Sequence, residues 1–112
     1  MPKQTASPFR RFNSRFETPE GVWVYWQCEG RADTSRVLDV SLGGLFVQTS
    51  KPKPVGSMVE ADFLVQEGQI NVEAVVRHVE PGRGLGLKFT AVHDGGRSNL
   101  VQLINRLRSV SR

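Results

Sequence analysis

The sequence predicts an all-β fold, a small six-stranded antiparallel β-barrel, followed by one C-terminal α-helix. Three observations carry this. In the middle of the chain Val59, Ala61, Phe63 and Val65, then Ile70, Val72, Ala74 and Val76, alternate with Glu60, Asp62, Asn71, Glu73 and Arg77, the period-two pattern of strands buried on one face. Near the end the period lengthens, with Leu100, Leu103, Ile104 and Leu107 at i, i+3, i+4 and i+7, one apolar stripe of a helix. Turn-forming stretches rich in Gly and Pro punctuate the apolar runs at short intervals, as a barrel of short strands requires.

Taken in order, residues 1–8 (MPKQTASP) hold two prolines and no apolar periodicity, and read as a disordered N-terminal tail preceding a single folded domain over residues 9–112. Residues 22–26 are all β-branched or aromatic, which predicts a first strand buried on much of both faces, with Trp23, Tyr25 and Trp26 as core. Residues 35–40 and 45–49 form the second and third strands around Ser41-Leu-Gly-Gly44, where Gly43 and Gly44 permit the positive φ of a tight turn or bulge. After Lys51-Pro-Lys-Pro54 the alternating run at 59–65 is the fourth strand. The turn Gln66-Glu-Gly-Gln69 joins it to a fifth ending at Val79, and Leu85, Leu87 and Phe89 supply the sixth. The helix takes Asp94 or Ser98 as its N-cap and packs its leucines on the barrel mouth, and Arg106 and Arg108 complement its dipole.

At 112 residues the chain suits one domain with a modest core that needs no metal or disulfide staple. Its formal charge of +4 is unevenly placed: Lys3, Arg10, Arg11 and Arg15 stand in an acid-free N-terminal stretch, Arg97, Arg106, Arg108 and Arg112 in an acid-free C-terminal one, and the body between is mildly acidic. A protein gripping long nucleic acid nonspecifically would spread its cations over the folded surface, so that class is disfavoured. The lone Cys28 has no internal disulfide partner, and no leader or long apolar run stands out, which together predict a cytoplasmic protein without membrane insertion. Enzymatic chemistry finds little support. His78 and His93 lie far apart, no HxxxH or CxxC spacing suggests a metal, and Ser41 with Asp39 lacks a nucleophile-elbow context, so no catalytic residue, metal or cofactor is predicted.

Two strings do carry chemistry. Arg11-Phe-Asn-Ser-Arg15 places two guanidinium groups four residues apart, with Arg10 immediately before, and Asp39-Val-Ser41-Leu-Gly-Gly44 joins a carboxylate, a hydroxyl and a glycine turn. A guanidinium forks onto phosphate or the O6/N7 edge of guanine, a carboxylate accepts from the guanine N1/N2 edge, and hydroxyl and bare backbone suit phosphate oxygens. Alone, the first string is a solvated basic tail and the second ordinary turn chemistry. Together they describe a guanine-nucleotide site.

The pair, in this order, resembles the PilZ domain family, whose signature is RxxxR followed by [DN]xSxxG. The likeness continues through the valine-rich strand ending at Val79, Gly84-Leu-Gly86-Leu-Lys-Phe89 and the terminal helix, roughly residues 9–108. It implies a PilZ-like barrel and a cytoplasmic bacterial receptor for cyclic di-GMP acting in motility or biofilm regulation, not an enzyme. Arg11, Arg15, Asp39, Ser41 and Gly44 match the family's binding positions one for one, and Arg77, with His78 beside it, is a further candidate contact. Within the family, arginine at the position of Arg10 goes with binding an intercalated nucleotide dimer, which implies two cyclic di-GMP molecules per chain. Signalling would pass to an unidentified downstream protein by ordering of the N-terminal segment. Two other readings stay open: a small barrel binding single-stranded nucleic acid through its basic tail, and a structural adaptor that binds no nucleotide.

Overall fold

The computed structural model describes residues 16–17, 21–51 and 53–110, and among these described residues the chain forms seven antiparallel strands and one helix. They are β1 (Phe16–Glu17), β2 (Trp23–Cys28), β3 (Arg31–Val40), β4 (Gly44–Gln48), β5 (Met58–Leu64), β6 (Asn71–Glu80), β7 (Gly84–Val92) and α1 (Gly96–Val110). The predicted tail at 1–8, and with it Arg10, Arg11 and Arg15, lies outside the described residues.

Six of the strands close a barrel in the order β3-β2-β5-β6-β7-β4, and β4 pairs back onto β3. The ten-residue β3 makes closure possible. Its first six residues pair with β2, from Cys28↔Arg31 to Trp23↔Arg36, and its last four turn to β4 through an irregularity between Val37 and Asp39. Beyond Arg36, where β2 has ended, the two-residue β1 pairs with the end of β3, Phe16↔Val40 and Glu17↔Asp39. No period-two pattern can reveal so short a strand. The early start of β3 was also hidden, because Arg31-Ala-Asp-Thr is polar. It is pinned by the Glu29-Gly30 turn, whose two residues have φ of 55° and 80°, the left-handed pair that suits the twist of a two-residue hairpin.

The interior is built from Val, Leu and Ile of every barrel strand, and Leu100, Leu103, Ile104 and Leu107 of α1 join the same cluster. The helix covers the mouth where β5 turns into β6: Asn99 Nδ2 donates to the Gln69 carbonyl at 2.9 Å, and Arg106 forms a two-bond pair with Glu67 through Nε and Nη2. Full burial of each leucine stabilises by about 1.5–3 kcal/mol, which is what holds the helix down.

Three expectations are corrected. Strand β2 is not buried on both faces. It alternates strictly, so Val24 and Trp26 are core while Trp23 and Tyr25, 43% and 38% exposed, project from the outer wall; a five-residue apolar run conceals a one-sided strand when its outward residues are aromatic. Neither Gly43 nor Gly44 has positive φ. Gly44 is needed for close approach instead, because a Cβ there would lie 2.2 Å from the Leu87 carbonyl oxygen. Finally, α1 begins at Gly96, directly after Gly95 at φ 80°, so Ser98 sits inside the first turn and neither it nor Asp94 holds the position just before the helix.

Candidate functional site

Because β3 ends at Val40 and β4 begins at Gly44, the second motif forms the corner where the barrel closes. Ser41 is 2% exposed and its hydroxyl serves the corner itself: Oγ accepts from the Gly43 amide at 3.2 Å and lies 3.4 Å from the Gly44 carbonyl, which also accepts from the Ser41 amide at 2.8 Å. These bonds hold the turn rigid. The Gly43 carbonyl accepts from the Phe89 amide at 2.8 Å, tying the turn to β7.

Register then aligns a row across the outer wall. Asp39 pairs with Phe46, Phe46 with Gly86 and Gly86 with His78, and directly opposed residues share a face, so all four lie outside while Leu45, Leu85 and Leu87 fill the interior. The neighbouring row brings Gly44 against Lys88. Phe46 is nonetheless covered, with the His78 ring stacked on it at 5.8 Å between centroids and the Arg83 guanidinium over its face at 4.6 Å. Gly86 makes this possible, since a Cβ there would come within 2.2 Å of the His78 ring. A register irregularity between Val76 and His78 adds Arg77 as an extra residue, and Arg77 and His78 are both exposed.

The outcome is a cleft of about 300 Å³ lined by Ser41, Gly43, Arg77, His78, Gly86, Leu87 and Lys88. Two cations and no acid line it, its floor is glycine and backbone, and an imidazole stands at one side. Such a surface suits an anion with a flat, polar-edged ring system, phosphate meeting cation and ring meeting bare backbone. Of the sequence-predicted residues, the structure brings Ser41 and Arg77 into this cleft and places Gly44 and Asp39 beside it on β4 and β3. Arg10, Arg11 and Arg15 lie outside the described residues, but Phe16 and Glu17, which follow Arg15 directly, pair with Val40 and Asp39. Lys88 was missed. Its signal was present, because Leu85, Leu87 and Phe89 pointing inward send Gly84, Gly86 and Lys88 outward.

Other chemistry is sparse. Among the described residues no three His, Cys, Asp or Glu side chains cluster as a metal site would need, and no helix is long and apolar enough to cross a membrane. The Cys28 thiol is buried, which pushes its pKa up, with Glu29 adding to the rise and Lys53 opposing it.

Comparison with known proteins agrees with this architecture. The PilZ domain of YcgR from Escherichia coli, in complex with c-di-GMP, superposes with a TM-score of 0.72 at 21% identity, over 92% of this chain and 95% of that one. The Bacillus subtilis inhibitor of motility MotI/DgrA aligns over all of this chain and 58% of its own length, at 22% identity and a TM-score of 0.73. PlzA of Borreliella burgdorferi, in complex with c-di-GMP, is more distant, at 14% identity and a TM-score of 0.51, over 84% of this chain and 35% of that one. No curated protein matches the sequence. A family model, that of the PilZ domain, matches residues 9–106, from the arginine segment through the barrel and most of α1, and the chain belongs to the PilZ domain family.

Proposed function

We propose that this PilZ domain, spanning residues 9–112, is a cytoplasmic receptor for cyclic di-GMP, a binding protein and not an enzyme. The observation that carries the reading is the pairing of β1 with the end of β3, which delivers the chain next to Asp39, directly after Arg15, and beside a cleft lined by Arg77 and Lys88. Arg11 and Arg15 supply guanidinium forks to phosphate and guanine, and Asp39 accepts from the guanine N1/N2 edge. Ser41 shapes the corner, and Gly44 lets the strand lie flat against the ligand. Arg77 and Lys88 add positive potential from the facing wall. The E. coli and Borreliella relatives, both described in complex with c-di-GMP, support the ligand's identity.

Arg10 sets the stoichiometry in this proposal. A stacked pair of nucleotides carries four phosphate charges and exposes a further guanine, and a third guanidinium neutralises and stacks on that surface, so two molecules bind per chain as an intercalated dimer. Binding orders the N-terminal segment and changes the surface offered to a downstream protein, a population shift driven by the ligand's differential affinity.

Isothermal calorimetry with cyclic di-GMP, set against a short oligonucleotide, tests the assignment. Guanine-selective binding at two nucleotides per chain is expected. Alanine at Arg11, Arg15 or Asp39 should each cost about 1.5–3 kcal/mol of affinity, the scale of a lost charge-assisted bond, and Arg10→Leu should move the ratio toward one. Wild-type affinity in Asp39→Ala overturns the site, and saturation of the wild type at one nucleotide per chain overturns the dimer alone. Oligonucleotide binding with a steep salt dependence would instead support a single-stranded nucleic-acid barrel. Amide relaxation at Arg11 and Arg15 that is unchanged by ligand removes the ordering mechanism.

A further inference from the structure

The helix closes only one mouth of the barrel. At the other, where β2 turns into β3, a cavity of about 320 Å³ opens between Trp26, Arg31, Ala32, Asp33, Lys51 and Lys53. Arg31 and Asp33 reach it because they pair with Cys28 and Trp26, whose side chains are core, so all four share the inward side of the last rungs of the hairpin. Lys51 and Lys53 come from the loop after β4. The Lys51 amide donates to Thr49 Oγ1 at 3.1 Å, and the Thr49 amide donates to the Arg83 carbonyl at 3.1 Å. Lys53 stands between two prolines in the sequence, whose rings restrict the backbone that carries it.

Three cations, Arg31, Lys51 and Lys53, line this one cavity without an ion-pair partner among the described residues, where the outer-wall cleft gathers two, Arg77 and Lys88. One carboxylate, Asp33, faces the three cations, and it already accepts from the Thr34 amide at 2.9 Å. The floor is closed, since Trp26 is 2% exposed and its indole N–H donates to Ser35 Oγ at 2.9 Å. Three like charges held together repel one another and favour a counter-charge, and barrel mouths are recurrent ligand sites.

We propose that this open mouth is a second ligand site, distinct from the cleft on the outer wall, that binds a small polyanion carrying adjacent phosphate or carboxylate groups. Arg31, Lys51 and Lys53 against Asp33 leave an excess of two positive charges, which a single carboxylate does not neutralise, and three separate cations offer contacts to more than one anionic group. The closed floor admits no stacked base, so the ligand is held by its charged groups at the rim.

Trp23→Phe leaves Trp26 as the only tryptophan and makes it a reporter for the mouth. Pyrophosphate titrated into that variant at constant ionic strength should give a saturable change in Trp26 emission, and amide shifts in the full protein should concentrate at Arg31, Ala32, Lys51 and Lys53. The double variant Lys51→Gln/Lys53→Gln should bind pyrophosphate at least about tenfold more weakly, and acetate should bind the parent more weakly by a similar factor. The site is refuted if pyrophosphate gives no saturable signal, if the shifts gather at Arg77 and Lys88, or if the double variant binds as its parent does. Acetate binding as tightly as pyrophosphate refutes the polyanion.

Discussion

Gly44→Ala tests the corner of the barrel most directly. A Cβ at this position would stand 2.2 Å from the Leu87 carbonyl oxygen, 3.3 Å from its carbon and 3.4 Å from Lys88 Cα, all backbone atoms that no rotamer change can move. Restoring ordinary contact requires about 1 Å of separation between β4 and β7. That separation strains the Gly44↔Lys88 pairing and the bond from the Phe89 amide to the Gly43 carbonyl. Losing one or two such bonds at about 1 kcal/mol each, with overpacking strain of about 1–3 kcal/mol, predicts a destabilisation of about 2–5 kcal/mol. At this chain length that lowers Tm by roughly 8–20 °C. The control is Gly82→Ala, where φ is 78° but nothing lies within 4 Å of the new Cβ, so only left-handed strain of about 1 kcal/mol applies. Calorimetric melting of both variants decides the matter. If Gly44→Ala melts no lower than Gly82→Ala, close approach is not why glycine stands there.

Ser35→Ala removes the acceptor of the buried Trp26 indole N–H and should cost about 1–3 kcal/mol in urea denaturation, more than Trp23→Ser on the exposed face of the same strand. The Arg106 hydrogen bonds hold the Glu67 carboxyl below its ordinary 4.5 despite opposing burial, so the pair adds stability above the unfolded-state pKa that is lost as pH falls through the lower folded value. Glu67→Gln should therefore flatten the decline of stability from about pH 5 downward, and a slope equal to the wild type's would contradict this. Leu103→Ala, at a position with no exposure, should cost about 2–5 kcal/mol in the same assay and loosen α1 over the mouth.

Six barrel strands and the helix were legible in the chain because each buries one face, and burial writes its period into the sequence. The same logic failed at residues 22–26, where Trp23 and Tyr25 sit on the outer wall and made a one-sided strand resemble a two-sided one. Asp39, Ser41 and Gly44 were also visible, as residue types whose chemistry and spacing suit a turn, and that turn is the corner where β3 passes to β4. Local sequence could not reveal that the two residues of β1 would pair with Val40 and Asp39, nor that Lys88, Arg77 and His78, some forty residues away along the chain, would line a cleft beside that turn. Those positions follow from barrel closure: once β3 pairs with β4, register carries Asp39 through Phe46 and Gly86 to His78, and the irregularity beside Val76 adds Arg77. Periodicity determines which side of a strand a residue occupies, because that depends only on its neighbours along the chain. Which residues meet across the wall depends on register and closure, long-range pairings that only the folded barrel decides.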